Sequence, residues 1–274
     1  SKLGMFKYSS EANFETDNIT VIENKFLKLK INNKGGMLEE VKLKAFVNHD
    51  SLPIFLIKNG NSQFNLNFTT SDNRYLNTKD LYFEPTLKNQ GDLQILSMKL
   101  KVSDDKFLEF RYSLNSEDYM VGFLIKSNGL NDVFDNSTAP EFEWNLKALR
   151  QDQSITFENR YTRLNYEYEV DKTNKLSQSG DDEDEIEDVS WISYRQHFFS
   201  SILVSEKPID IAKVYSYDLV DDETIDTTFT KKYITKFPLV YDSGELLKDM
   251  NFYFGPTYAE TLKKYNTFRF QTRV

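Results

Sequence analysis

Apolar residues recur at every second position through most of this chain, and this alternation constrains its fold more than any other feature. It is found in the runs 27–31, 41–43, 64–68, 96–102, 108–114, 119–125, 164–170, 209–219 and 250–254. Side chains of a β-strand point alternately to its two faces, so each run predicts a strand with one face on a core and one in water. The connections are short and no linker is rich in Pro or Gly, which predicts one large antiparallel β-sandwich of well over a dozen strands.

Residues 191–204 form the longest nearly uncharged apolar run in the chain. The run contains Trp191, Phe198 and Phe199, and it lies between an acidic stretch and a predicted turn at Lys207 and Pro208. Its aromatic and β-branched residues are typical of strands, and a run without polar alternation is typical of a strand that is covered on both faces. We therefore predict that residues 191–204 are one central strand around which the other strands assemble.

Two glycine-containing turn signals lie near the two ends of this series of strands. Gly35 and Gly36 lie between two alternating runs and predict a hairpin turn in which they adopt positive φ. Near the other end, Gly255 and Pro256 precede the one stretch with helical spacing, which we predict as a helix over about residues 257–265.

The predicted C-terminal helix has a cap and an apolar face. Thr257 is placed to cap its first turn, with Glu260 three residues later. Tyr258, Leu262 and Tyr265 recur at i, i+4 and i+7 and should dock the helix on the sandwich.

Charge and composition exclude several classes of function. Acidic residues outnumber basic ones by 43 to 34, which gives a net charge of −9 and argues against a nucleic-acid partner. The chain has no Cys, so a disulfide framework, a thiol nucleophile and a cysteine-based zinc site are excluded. We expect no metal and no cofactor.

The residues that invite a chemical role also have simpler interpretations. The acidic run 181–188 lacks the ligand spacing of a calcium loop, so we predict a solvated, mobile loop. His49 lies in a probable turn and His197 in the central apolar run, and nothing in the sequence brings the two together. Carboxylate pairs suited to glycoside hydrolysis cannot be singled out among so many acidic residues.

Three stretches together resemble one family, the periplasmic domain of the bacterial membrane protein insertase YidC, of the YidC/Oxa/Alb family. The first is residues 21–36 with 41–44, which is similar to the opening hairpin of the family and its Lys-Gly-Gly turn. The second is residues 191–201, and the third is residues 252–258 with 261–265, which resembles the closing strand, Gly-Pro turn and helix.

The resemblance implies a galactose mutarotase-like β-supersandwich with a short C-terminal α-helix, spanning residues 21–265 as one periplasmic domain. Residues 1–20 would follow a transmembrane helix outside this chain, and residues 266–274 would lead toward a membrane core that is also outside it. That core carries the insertase activity in the family, so no catalytic residue is expected here. The full-length protein would be anchored in the bacterial inner membrane.

The resemblance also implies partners and a role. The domain would act as a scaffold and contact surface, with components of the Sec translocon as partners, SecF among them, and nascent membrane proteins engaged by the core. A carbohydrate-binding or carbohydrate-active domain on the same sandwich is the alternative. It predicts that His197 and a carboxylate meet in an open cleft beside exposed aromatic side chains.

Overall fold

The computed structural model describes residues 2–11 and 18–265, and it contains seventeen strands. The first nine are β1 Ile19–Glu23, β2 Leu27–Asn32, β3 Met37–Val47, β4 Pro53–Ile57, β5 Ser62–Thr69, β6 Tyr75–Asn77, β7 Glu84–Gln90, β8 Leu93–Lys101 and β9 Phe107–Asn115. The others are β10 Met120–Asn128, β11 Glu141–Leu149, β12 Arg163–Tyr168, β13 Lys172–Lys175, β14 Asp182–Arg195, β15 Phe199–Asp218, β16 Phe229–Pro238 and β17 Leu247–Pro256. Each alternating run of the sequence falls on one of these strands, although some runs extend one or two residues past the strand end, so the prediction of an all-β fold is confirmed.

Helices are short and few. They are α1 Tyr8–Glu11, α2 Ile155–Tyr161 and α3 Ala259–Lys263, with single 3₁₀ turns at Gly4–Phe6 and Thr78–Asp80. The predicted C-terminal helix is confirmed as α3, although it is shorter than the predicted range 257–265. The predicted tail 266–274 lies outside the described residues.

The strands form two antiparallel sheets. The smaller sheet has the order β1-β2-β3-β4. The large sheet has thirteen strands, with the main order β6-β5-β11-β16-β15-β17-β10-β9-β8-β7 and with β12, β13 and β14 branching from β15. The twenty-residue strand β15 joins its two halves, because its first part pairs with β17 and its last part pairs with β16.

One continuous core of aliphatic and aromatic side chains lies between the sheets. At its centre Phe64 contacts Phe110, Phe123, Phe142 and Phe252, with ring centroids 5.2–6.4 Å apart. The high aromatic content of the chain is therefore mostly core, and each buried ring adds a large apolar area to the driving force for folding.

Residues 191–204 are not the single strand that the sequence predicted. They form a hairpin in which residues 191–195 end β14, residues 196–198 turn the chain, and Phe199 begins β15. The prediction was wrong because an apolar run carries no signal for a tight turn. The predicted turn at Pro208 is also wrong, because Pro208 lies within β15. At this point of the strand, pairing with β17 has ended and pairing with β16 has not begun. Proline is tolerated at such an unpaired position.

The acidic run is a strand and not a loop. Residues 182–188 form the first half of β14, and residues 182–187 pair with the last half of β15. Ile186 is buried within the run, and Glu185 lies opposite Lys213, 3.4 Å from Oε2 to Nζ. Burial of one apolar residue and cross-strand charge pairing outweigh the low strand propensity of the acidic residues.

The double-glycine turn is confirmed. Gly35 and Gly36 have φ of 80° and 58°. A Cβ on Gly36 would lie 3.1 Å from atoms of both Phe83 and Phe110, and the Gly36 carbonyl accepts a hydrogen bond from the Tyr112 hydroxyl at 2.7 Å. Both the backbone conformation and the close aromatic rings therefore require glycine here.

The first residues of the chain also contribute to the core. Phe6 is fully buried and contacts Phe68 edge-on, with centroids 5.5 Å apart. Ser9 is buried too, and its hydroxyl accepts a hydrogen bond from the Tyr82 amide. Part of the segment predicted as a linker is therefore packed on the sandwich.

Candidate functional site

The helix α3 packs on the face of the large sheet that points away from the main core, here called the outer face. Its Leu262 is 6% exposed and joins a small apolar cluster with five outward side chains of the sheet, namely Met120, Trp191, Ile202, Val204 and Tyr253. We call these six residues the helix-docking cluster. This cluster marks the area of the outer face that α3 covers.

Tyr265 fastens the end of α3 to the turn between β9 and β10. Its hydroxyl donates to Asp118 Oδ1 at 2.7 Å and accepts from the backbone N–H of Tyr119 at 2.9 Å. Its ring packs edge-on against Tyr253, with centroids 5.3 Å apart. Burial raises the pKa of Tyr265 well above its ordinary value, and the nearby Asp118 carboxylate raises this pKa further. The hydroxyl therefore keeps its proton and donates a hydrogen bond to Asp118.

Gly255 and Pro256 end β17 just before the helix. A Cβ at Gly255 would lie 2.8 Å from Tyr253 Oη and 2.9 Å from Tyr119 Cδ1, so the two rings leave room only for glycine. The Tyr253 hydroxyl donates to the Pro256 carbonyl at 2.6 Å. Because residue 255 is glycine, the Tyr253 side chain can pack over the end of β17, and its hydroxyl holds the carbonyl of Pro256 in place.

The predicted cap of the helix is wrong. The N-cap position is Tyr258 and no side chain caps it, whereas Thr257 donates its hydroxyl to the His197 carbonyl at 3.2 Å and its N–H to the Phe198 carbonyl at 2.8 Å. Thr257 therefore ties the chain to the β14–β15 turn instead of capping α3. Tyr258 is 54% exposed and is not part of the docking face, which Leu262 and Tyr265 form alone.

The β14–β15 turn holds His197 between aromatic rings. The ring of His197 stacks on Tyr161 of α2 and on Phe198, with centroids 4.6 and 3.9 Å away, and its Nδ1 lies 3.0 Å from Asp152 Oδ2. Phe198 is 41% exposed. His197 and a carboxylate therefore do come together, as the sugar-binding alternative predicts.

His49 is not part of this arrangement. It lies in the turn between β3 and β4 with its Nδ1 3.1 Å from Asp50 Oδ1. Each histidine thus has its own neighbouring carboxylate.

A buried carboxylate lies behind the turn. Glu158 of α2 is 1% exposed, and its Oε2 accepts the backbone N–H groups of Gln151 and Asp152, both at 2.7 Å. Its Oε1 accepts from Gln196 Nε2 at 3.3 Å. Burial raises the pKa of Glu158 to about 7, because these hydrogen bonds only partly offset the loss of hydration.

The remaining predicted residues lie in different places. Trp191 belongs to the helix-docking cluster, while Phe199 is buried in the main core against Phe46 of the small sheet, with centroids 5.3 Å apart. Gly35 and Gly36 turn the chain beside Phe83 and belong to the packing of the sandwich. The structure therefore joins Trp191, Gly255, Pro256, Leu262 and Tyr265 around α3.

No group of three or more His, Asp or Glu side chains within residues 2–11 and 18–265 could hold a metal ion. In the same part of the chain no helix is long and apolar enough to cross a membrane.

A family model described as the YidC periplasmic domain matches residues 19–272. The chain belongs to the YidC periplasmic domain family. The match covers the sandwich, α3 and most of the tail, so the family assignment rests on almost the whole chain and not on the helix region alone.

Curated relatives of this YidC domain are longer proteins. The membrane protein insertase YidC of Parabacteroides distasonis is 31% identical over 264 residues, which cover 95% of this chain and 41% of the relative. That of Porphyromonas gingivalis is 31% identical over 254 residues, covering 89% of this chain and 39% of the relative. The chain thus spans about two fifths of the length of these relatives.

The solved structure of a mutarotase-related enzyme shows the same fold. A galactose mutarotase related enzyme from Lactobacillus acidophilus superposes with a TM-score of 0.52 at 12% identity, covering 88% of this chain and 98% of that enzyme. The periplasmic domain of Thermotoga maritima YidC gives a TM-score of 0.42 at 10% identity, with coverages of 90% and 87%. The mutarotase-like architecture predicted for the YidC domain is confirmed, and at this identity it shows the fold alone.

Sequence reasoning missed Asp152 and Glu158. Both lie in or beside a short helix between two strands, where the alternation of apolar and polar residues is interrupted. The signal available was Ser154 as an N-cap, whose hydroxyl accepts the Phe157 N–H. Such a cap would have located α2, but it would not have placed α2 against the β14–β15 turn.

Proposed function

We propose that this chain is the periplasm-facing domain of a membrane protein insertase and that it works without catalysis, as a scaffold and contact surface. The longer protein would insert nascent membrane proteins through its membrane-embedded part. Family membership and the names of the curated relatives support this proposal.

The observation that carries the scaffold role is the double attachment of α3. The helix is held by Leu262 in an apolar cluster and by Tyr265 on the β9–β10 turn, while Thr257 is tied to the β14–β15 turn. A segment that follows α3 in a longer protein would therefore start from a fixed direction. Buried apolar contacts and paired polar groups on both sides of a short helix make it a rigid link.

The scaffold role can be tested in a chimera. This chain would replace the equivalent segment of the Parabacteroides distasonis insertase, in cells depleted of their own insertase, and insertion of a reporter would be followed by protease protection. We expect the chimera to insert the reporter and the Leu262→Ala chimera to insert it more slowly, with Lys263→Ala as the matched control on the exposed side of α3. Equal insertion by Leu262→Ala and by the intact chimera would contradict the scaffold role.

Contact with the Sec translocon, SecF in particular, is part of the same proposal. The exposed Tyr258 lies where the sandwich meets α3, which makes it a suitable position for a photo-crosslinking amino acid. We expect a crosslink to SecF from Tyr258 and none from Lys175 on the edge strand β13. Absence of any crosslink to a Sec component would count against this contact while leaving the scaffold test unaffected.

Carbohydrate binding is the second candidate, favoured by the stack of Tyr161, His197 and Phe198 beside Asp152. Sugar rings commonly pack on aromatic faces with a carboxylate as hydrogen-bond acceptor. Titration with galactose and glucose to millimolar concentration, read by NMR at His197, would show shifts that the Phe198→Ala variant loses. No shift with either sugar would exclude this candidate.

A further inference from the structure

A groove of about 380 Å³ lies on the outer face where β7, β8, β9 and β10 meet. Four cationic side chains line it, namely Lys88, Lys99, Arg111 and Lys126. The one carboxylate in its lining is Glu109. Its volume falls within the range of small-ligand pockets.

The strand register explains why these cations converge. Lys99 lies opposite Glu109 across β8 and β9, and Glu109 lies opposite Lys126 across β9 and β10. Arg111 is two residues further along β9, so its side chain points to the same face as that of Glu109. The groove is therefore built on adjacent paired strands, with β7 at the edge of the sheet.

The single carboxylate is already used within the protein. Glu109 is 3% exposed, and its Oε1 accepts from Ser97 Oγ at 2.7 Å and from Arg111 Nε at 2.9 Å. Its Oε2 accepts from Arg111 Nη2 at 3.1 Å. Burial alone would raise the pKa of Glu109, but the hydrogen bonds from Arg111 and Ser97 outweigh it and hold this pKa below its ordinary value. Glu109 therefore stays ionised and fixes the guanidinium of Arg111.

The lysines keep their charge available. In the part of the chain that the structure describes, Lys88 and Lys126 are exposed and no carboxylate oxygen lies within 4.0 Å of their ammonium groups. Lys99 places its ammonium 4.0 Å from the ring centre of Phe107. Four cations against one carboxylate give the groove a surplus of three positive charges on a chain whose net charge is −9. Such a local reversal of sign attracts and orients an anionic ligand.

We infer that this groove binds an acidic, extended segment of a polypeptide partner. Carboxylates of the segment would pair with Lys88, Lys126 and the guanidinium edge of Arg111, and its apolar side chains would contact Ile95 and Phe107 in the groove lining. The cations line a concave site with apolar side chains among them. A lipid surface is flat on this scale and would leave Ile95 and Phe107 without a partner. The inference rests on the groove alone and not on the insertase role.

The test uses a fluorescein-labelled peptide in which glutamate alternates with leucine, and fluorescence anisotropy with this chain. The variant pair Lys88→Gln with Lys126→Gln should weaken binding by about tenfold, since each partly exposed ion pair contributes a few-fold. The matched control is Lys175→Gln with Lys207→Gln, which removes the same charge from exposed positions outside the groove. Binding should also weaken with added salt.

Three results would overturn the inference. The first is an anisotropy that does not change at a millimolar concentration of this chain. The second is equal weakening of binding by the groove variants and the control variants, which would mean that only the overall charge matters. The third is binding to phosphatidylglycerol vesicles without binding to the peptide, which would make the groove a lipid-headgroup site. A peptide with lysine in place of glutamate should not bind.

Discussion

The outer face of the large sheet contains two regions with opposite properties. Around Met120 and Tyr253 its outward side chains are apolar or aromatic, and α3 covers them. About six residues further along β10, at Lys126, the outward side chains are cationic and form an open groove. Both regions lie on strands of the same sheet. The type of residue at the outward positions of these strands therefore decides which part of the face α3 covers and which part stays open.

Two buried glutamates of the molecule behave differently, one beneath the groove and the other behind the β14–β15 turn. Glu109 beneath the groove has Arg111 as a partner and keeps a lowered pKa. Glu158 behind the β14–β15 turn has amide donors but no cation within ion-pair distance in the described chain, and its pKa is raised to about 7. Burial is the largest influence on both pKa values, and at Glu109 the hydrogen bonds from Arg111 and Ser97 together reverse its direction.

The largest effect is expected at the covered region. Leu262→Ala removes the side chain that fills the helix-docking cluster and should weaken docking of α3 by about 2–4 kcal/mol. Because α3 is short and terminal to the sandwich, the loss should show as faster hydrogen exchange in α3 and little change in the core strands. Lys263→Ala, at an exposed position of the same helix, is the control. Unchanged exchange in Leu262→Ala would show that α3 is held mainly by Tyr265.

The two glutamates should give stability opposite dependences on pH. The pKa of Glu158 is raised from 4.5 to about 7, so the folded state binds more protons than the unfolded state between these values. Stability from this group is complete below pH 4.5 and falls as pH rises to 7, by up to about 3 kcal/mol. The lowered pKa of Glu109 has the reverse sign, with stability present above its unfolded pKa and lost on acidification.

Urea denaturation from well below pH 4.5, where the Glu109 contribution is lost, up to pH 7 would measure both contributions. The stability of Glu158→Gln should fall less with rising pH than that of the parent chain. The stability of Glu109→Gln should rise less with rising pH than that of the parent chain. The same pH dependence in the parent and in Glu158→Gln would contradict the raised pKa.

Two glycines on the outer face give a smaller, matched contrast. Gly255→Ala would bring Cβ against the rings of Tyr253 and Tyr119, and Tyr253 is held by its hydrogen bond to the Pro256 carbonyl. Gly122→Ala meets only the hydroxyl of Ser113, which can rotate away. Neither glycine has positive φ. We therefore expect Gly255→Ala to cost about 1–3 kcal/mol by overpacking and Gly122→Ala less than about 1 kcal/mol, measured by urea denaturation. Equal costs would mean that the Tyr253 ring can move.

The alternation of side chains made the sandwich predictable, because a period of two is a local property of each strand. The turn at Gly35 and Gly36 was predictable for the same reason, since positive φ is encoded by the residue itself. Errors occurred where a distant partner decides the structure. The acidic run became a strand through Lys213 on β15, and the run 191–204 became a hairpin through pairing with β12 and β17.

The candidate site was predictable only in part, and for a similar reason. Helical spacing indicated Leu262 and Tyr265, which do face the sheet, but it also indicated Tyr258, which lies outside the helix and is exposed. The groove could not be found from spacing at all. Lys88, Lys99, Arg111 and Lys126 come from four strands, and only the register of the sheet brings them together.

The smallest effect is expected from Tyr265→Phe, which separates the polar from the apolar attachment of α3. The variant keeps the ring against Tyr253 and loses only the hydroxyl that joins Asp118 to the Tyr119 N–H. Because the two lost hydrogen bonds contribute about 0.5–1 kcal/mol each, exchange in α3 should rise by about five- to thirty-fold, less than in Leu262→Ala. Tyr258→Phe loses an exposed hydroxyl and serves as the control. If Tyr265→Phe instead had the larger effect, α3 would be held mainly by the hydrogen bonds of Tyr265. The covered region and the groove would then both depend on polar contacts and would differ only in how much.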